Sequence, residues 1–125
     1  MKFRSKFEES IWKDATKTKK KKLTYEPKDP RISYLIPYWY LPDFVLPNGI
    51  IIEAKGWLRP RDRTKMRKVK EHNPDLDIRF VFQNPNGKIT KAKTSMKYWE
   101  WAEQLGFKWA STTIPEEWWN EPTTN

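Results

Sequence analysis

Apolar residues at Phe7, Ile11 and Ala15 recur every four positions, and Ser5 and Glu8 just before them have the spacing of a capping box. Together they predict an amphipathic helix over about residues 6–17, with a narrow buried stripe. Residues 23–26 form a short β-like piece, followed by a stiff connector from Pro27 to Pro30. Aromatic and β-branched residues crowd positions 34–46, but Pro37 and Pro42 restrict that stretch to edge or irregular strand. The clearest local signal is a hairpin in which residues 43–46 meet residues 50–55 across Pro47-Asn48-Gly49. Proline suits the first turn position there, and glycine suits the left-handed one that follows. Downstream, residues 61–71 predict a highly charged helix anchored only by Met66 and Val69, and residues 77–83 alternate as a strand. After a turn at residues 84–87, Ser95 is the expected cap of a helix that runs to about Leu105 and stops at Gly106. A last strand at residues 107–111 and a helical turn at residues 115–119 complete an α/β unit with a mixed sheet.

The length, 125 residues, suits one compact unit rather than two. Charge sharpens the picture, because the net +9 is unevenly placed. Residues 1–22 carry nine bases and three acids, residues 59–70 carry seven bases and one acid, and residues 112–125 carry three acids and no base. Such a basic face implies a polyanionic partner, and nucleic acid fits best. The longest apolar run, at residues 49–52, is far too short to span a bilayer, so no membrane association is expected. The absence of cysteine excludes disulfides and thiolate metal sites, and with no secretory segment after Met1 the expected location is the cytoplasm.

The hairpin also carries the chemistry. A three-residue loop pairs Leu46 with Ile50, Val45 with Ile51, Phe44 with Ile52 and Asp43 with Glu53, so the two acids are expected opposite each other on one face. Like charges in that position repel, and a divalent cation would reverse the penalty. Lys55 lies two residues beyond Glu53, which puts its ammonium on the same face, where it can orient water and meet phosphate. Acid, acid and lysine converging in a basic protein are what metal-assisted phosphodiester hydrolysis requires. The plain alternative is a salt-bridged wet face of a hairpin, since an acid-x-Lys tripeptide is common. The Pro42-Asp43 start, the compatible turn and the adjacent Gly56 favour catalysis.

These residues match the PD-(D/E)xK nuclease signature, and the surrounding sequence resembles the phage endonuclease I family of Holliday junction resolvases. The resemblance rests on Phe3-Arg4-Ser5 with Phe7-Glu8, and on Pro42-Asp43-Phe44 running on to Leu46-Pro47-Asn48-Gly49-Ile50. It continues in Glu53-Ala54-Lys55-Gly56, in Pro74 and Leu76-Asp77-Ile78-Arg79 with Val81-Phe82, and in Ile114-Pro115 with Glu117-Trp118. It implies a restriction-endonuclease-like mixed sheet flanked by helices, in a homodimer that cuts two opposed strands of four-way DNA junctions in phage DNA recombination. It further implies one or two Mg²⁺ or Mn²⁺ ions per site, held by Asp43, Glu53, the Ala54 carbonyl and Glu8, with Lys55 beside the attacking water. Members exchange N-terminal segments, so residues 1–33 would cross to the partner, residues 34–42 would form the bridge, and residues 43–125 would form the catalytic core. Glu8 would then complete the partner's site. Relative to the family pattern the chain carries a Lys-heavy run at residues 17–22 and lacks a basic tail after Trp119.

Phosphate contacts are expected from Lys19, Lys20, Lys21, Lys22, Arg59, Arg61, Arg63, Lys65 and Arg67, with the arginines after the catalytic strand favoured. Most of the eight tryptophans, Trp99, Trp109 and Trp118 among them, read as core or interface rather than as base-stacking platforms. Two other readings remain at this stage: a nuclease of the same signature acting on other branched, mismatched or duplex DNA, and a DNA-binding protein with an inactive site.

Overall fold

Hydrophobic patterning sorts the chain onto both faces of one sheet. The computed structural model describes residue 3 and residues 5–25, 32–35 and 38–123. Strand β1 (Thr24–Tyr25) is followed by β2 (Ile32–Leu35), β3 (Tyr38–Tyr40), β4 (Phe44–Val45), β5 (Ile51–Lys55), β6 (Ile78–Phe82) and β7 (Lys108–Ser111). The helices are α1 (Lys6–Lys13), α2 (Pro60–His72), α3 (Tyr98–Gln104) and the single turn α4 (Glu116–Trp119). Five strands form a mixed sheet in the order β1-β4-β5-β6-β7, and β2 and β3 form a separate antiparallel pair. The β4–β5 pair is antiparallel, whereas β5, β6 and β7 run parallel with α2 and α3 as crossovers.

Both faces of the central strands are covered, which is why β6 is buried at every position. On one face Tyr40, Ile51, Leu58, Met66, Val69, Phe80, Phe82, Trp101 and Phe107 form a core under α2 and α3. Phe80 stands edge-on to Trp101 and Phe107, with ring centroids 5.5 and 5.1 Å away. On the other face Ile11, Ala15, Phe44, Ile52, Ala54, Val81, Ile114 and Trp118 bring α1 and α4 against the sheet.

The first helix begins as expected, with the Ser5 hydroxyl accepting the Glu8 N–H at 3.1 Å. It continues beyond Lys13 as a π-helical turn over Asp14–Thr18. The chain then leaves through Lys20 at φ +54°, and the Lys21 N–H closes onto the Ala15 carbonyl at 2.7 Å. The expected Ser95 cap is corrected. The helix starts at Tyr98, because an antiparallel bridge between Lys88 and Lys97 holds the chain extended up to that point. Ser95 instead accepts the Thr90 N–H at 2.9 Å, while Glu100 accepts the Lys97 N–H at 3.0 Å at the true helix start. The proline-punctuated stretch contributes to the two-stranded β2–β3 pair, irregular as expected, with a register shift between Ser33 and Leu35. The connector at residues 26–31, like residues 36–37 of the expected bridge, lies outside the described residues. Among the described residues no helix is long and apolar enough to cross a membrane.

The C-terminal segment is locked by a charge cluster around one buried arginine. Arg79, 1% exposed, donates to Asp77 at 2.8 and 2.9 Å and to Glu121 at 2.6 and 2.7 Å, with its guanidinium 5.2 Å from the Trp118 ring centroid. The hydrogen bonds to Glu121 come first in holding the arginine charged, and the same bonds pull the Glu121 carboxyl below its usual range. Asn48 adds to this lock by donating to the Trp118 and Glu121 carbonyls at 2.8 and 3.0 Å. Arg79→Met is expected to cost about 2–3 kcal/mol in urea unfolding. That is less than a fully buried ion pair would lose, because the two acids keep about a third of their side-chain surface in water, 33% and 35%.

Candidate active site

The hairpin has the expected register, Phe44 opposite Ile52 and Val45 opposite Ile51, closed by the Leu46 N–H to the Ile50 carbonyl at 2.8 Å. Gly49 takes φ +91° in the loop, which only glycine adopts without strain. The ladder stops at Phe44, and Pro42 falls where the next rung would be. Asp43 instead turns its carboxylate onto the sheet edge, and its Oδ2 accepts the Ala54 N–H at 2.9 Å. The alternation that points this N–H outward also points the Ala54 carbonyl toward the same edge, and proline has no N–H to offer it.

Asp43 and Glu53 are each 2% exposed and Glu8 is 5% exposed. Asp43 is pushed up to about 7, first by burial and next by the neighbouring Glu53 carboxylate. A hydrogen bond with Glu8, the Ala54 N–H and the Lys55 charge pull in the opposite direction. The two acids therefore share one side of the sheet edge and repel each other. Ser5 fulfils its half of the capping box, but the Glu8 carboxylate meets Asp43. Lys55 points to the same side, with its Nζ 3.9 Å from Glu53 Oε2 and 3.7 Å from Asp62 Oδ1. Glu8, Asp43, Lys55 and Asp62 open into a cleft of about 300 Å³ whose lining also includes Ser5, Ala54, Gly56, Trp57 and Arg59, whereas Glu53 is buried outside that lining and meets Lys55.

Two site residues were not legible from the sequence. The Tyr40 hydroxyl donates to Glu53 Oε1 at 2.5 Å, fixing that carboxylate from below. Tyr40 lay in an aromatic run without periodicity, so nothing local marked it. Asp62 caps α2 by accepting the Arg59 N–H at 3.0 Å and also faces Lys55. Burial would raise its pKa, but the Arg59 hydrogen bond and the Lys55 charge outweigh this and keep it low. The available signal was its position as the single acid in the basic run at residues 59–70, just after β5.

The predicted phosphate-binding bases do not form one patch. Lys19 donates to the Ile114 carbonyl at 3.0 Å and pairs with Asp14, and Lys21 pairs with Glu116 at 2.9 Å beside Trp119. Both hold the first helix to the C-terminal segment, whereas Lys20 and Lys22 are exposed. Arg59 lines the cleft, Arg63 donates to the Leu58 carbonyl at 2.9 Å, and Lys65 lies over the Tyr40 ring. Arg61 and Arg67 are exposed on the outer side of α2. Of the tryptophans, Trp118 is core and Trp99 packs on Trp109 at 5.9 Å, but Trp57 is 69% exposed at the cleft rim.

Among the described residues no group of three or more His, Cys, Asp or Glu side chains encloses a metal position. A hard cation such as Mg²⁺ suits the set nonetheless, because it is held by one or two carboxylates and completed by water and phosphate oxygens. Asp43 and Glu53, buried and in mutual repulsion, are the pair such an ion would relieve.

The sequence profile of the family described as Phage endonuclease I matches residues 1–125. The chain is 38% identical to "Endonuclease I" of Escherichia phage T7 over 123 residues, covering 96% of this chain and 80% of the relative. It is 44% identical to "Endodeoxyribonuclease 1" of Enterobacteria phage T3 over 88 residues, covering 68% of this chain and 57% of the relative. With the acid pair, the lysine and the mixed sheet already in place, these matches establish that the chain belongs to the phage endonuclease I family.

Proposed function

We propose that the protein is a metal-dependent, structure-selective DNA endonuclease that resolves four-way junctions by paired nicks, acting as a homodimer in the cytoplasm of the phage-infected cell. The observation that carries this reading is the convergence of Asp43, Glu53 and Lys55 at one sheet edge, with Asp43 and Lys55 lining an open polar cleft, in a protein of net charge +9. Family membership and the DNA-cleaving names of both relatives support it.

Asp43 and Glu53, with the Ala54 carbonyl and Glu8, would hold one or two Mg²⁺ or Mn²⁺ ions. When bound, the ion neutralises charge building on the phosphate and acidifies water. The chain's own residues do the positioning. Tyr40 clamps Glu53 through Oε1, leaving Oε2 toward Lys55. Lys55 stands between Glu53 and Asp62 at 3.9 and 3.7 Å, beyond direct hydrogen-bond length, so its protons remain available to water or to a phosphate oxygen. Arg59, fixed by Asp62, adds positive charge at the rim.

Exchange of N-terminal segments would make two observed contacts in trans, Glu8 with Asp43 and Thr24–Tyr25 of β1 with β4. Mixed dimers of Glu8→Ala and Glu53→Ala chains are expected to recover nicking of one strand, because one of the two sites would then be intact. Mixed dimers as inactive as the parents would leave each site within one chain. Junction selectivity is checked by single-turnover cleavage of a four-way junction and of a linear duplex of equal sequence, with and without Mg²⁺. The expected result is Mg²⁺-dependent cutting of the junction at least tenfold faster, and equal rates would reduce the reading to a general DNA nuclease.

A further inference from the structure

Trp57 is the most exposed large apolar side chain among the described residues, at 69%, and it stands at the rim of the cleft that holds Glu8, Asp43 and Lys55. A single exposed apolar side chain is ordinary on a surface, so what sets this indole apart is its place at the rim of that cleft. One face is already taken. The Arg59 guanidinium lies 5.7 Å from the ring centroid, and Arg59 is itself held by Asp62 at 3.1 Å, which in turn lies 3.7 Å from Lys55. The ring is therefore held in place relative to the lysine through two intermediates, with its other face open to solvent. Trp57 is two residues beyond Lys55, a separation of at most ~7 Å of extended chain. That is about two base steps of B-form DNA at ~3.4 Å each.

We infer that the open face of Trp57 stacks on a nucleobase one or two positions from the phosphate held over Lys55. An aromatic face accepts any base, and a flanking cation strengthens the stack. A base can reach the indole only by leaving its own stack, which costs least where pairing is already broken. Trp57 thereby favours cleavage at branch points over uninterrupted duplex, a refinement that rests on the proposed DNA-cleaving reading of this site. The sequence places most tryptophans in core or interface without singling out Trp57, which its exposure of 69% sets apart.

The test is a cycle between the ring and the base. Single-turnover rates with Mg²⁺ are measured for the wild type, Trp57→Ala, Trp57→Phe and Trp57→Leu on a four-way junction. The same junction is then used with an abasic nucleotide at each of the two positions on either side of the cut. Trp57→Ala is expected to slow cleavage of the intact junction roughly 5- to 150-fold, the range for losing one base–aromatic stack. Trp57→Phe should restore most of the rate and Trp57→Leu should not, with melting temperature and sedimentation unchanged in all three. At one abasic position the wild type should slow to the Trp57→Ala rate, and Trp57→Ala should lose nothing more. The inference is overturned by a wild-type rate for Trp57→Ala, by Trp57→Leu matching Trp57→Phe, or by an undiminished Trp57→Ala loss at every abasic position. It is equally overturned if Trp57→Ala changes sedimentation, which would make the ring a contact between protein copies. The wild-type rate on linear duplex serves as the separate control. A wild type that ignores branching would refute junction selectivity, while the cycle still reports on the stack.

Discussion

Glu53→Gln is expected to lower single-turnover cleavage on the order of 10³-fold while DNA binding is retained. The substitution is nearly isosteric, and the Gln carbonyl can still accept from the Tyr40 hydroxyl, so the strand and the core beneath it are undisturbed. What is lost is a negative oxygen 3.9 Å from the Lys55 ammonium, beside which a cation and a reacting phosphate would sit. Preorganised charge of this kind is worth about 10²–10³ in rate for a single group. Removing one negative charge from a cleft that must receive a polyanion does not weaken association, so gel-shift affinity for a four-way junction should be equal or tighter. Lys55→Ala is expected to match Glu53→Gln in rate. Near-normal cleavage by either variant would remove that residue from the chemistry.

The second large effect is on stability. Asp43 is raised from 3.8 to about 7 by burial and by Glu53, so the folded state binds its proton more tightly than the unfolded chain. Such a group favours folding at low pH, and its contribution is lost as pH rises from about 4 to 7. By pH 8 the ionised Asp43 costs on the order of 4 kcal/mol relative to acid pH, given the shift from 3.8 to about 7. Asp43→Asn escapes this cost. Its carbonyl can accept from Ala54 as Oδ2 does, and its amide can donate to Glu8. In metal-free buffer at pH 8 the variant should melt roughly 10 °C above the wild type, with the gap closing toward pH 4. Cleavage should be abolished in the same variant, an exchange of stability for function that is common where a site gathers like charges. A variant that melts lower at pH 8, with the wild-type pH dependence, would show that the acids are not in repulsion.

The hairpin was readable because its determinants are local. The Pro47-Asn48-Gly49 loop fixes the register and so brings Asp43 to the strand that carries Glu53 and Lys55, although the expected Asp43–Glu53 rung does not form and Asp43 accepts the Ala54 N–H instead. The parallel strands and crossover helices were also marked by patterning, since β5, β6 and α2 bury apolar residues at the periods their shapes require. What escaped notice depends on distant partners. Asn48 read as a turn residue, yet its amide holds the C-terminal segment through two carbonyls. Asp62 read as one acid in a basic helix, and only the fold brings it to Lys55. Ser95 has the chemistry of a cap, but a nonlocal bridge between Lys88 and Lys97 delays the helix by two residues. Glu8 shows both levels at once, because its backbone N–H completes the local cap while its carboxylate belongs to the site.

The most direct test is to count bound Mn²⁺ by electron paramagnetic resonance at pH 8 in the wild type and in Asp43→Asn, without DNA and again with an uncleaved junction bound to Lys55→Ala. The wild type is expected to bind Mn²⁺, and Asp43→Asn to lose that binding by a factor of ten or more. Lys55→Ala should keep the ion and hold it more tightly once the junction is present. Undiminished Mn²⁺ binding by Asp43→Asn would contradict the account, because the buried acid pair would then not be where the cation sits.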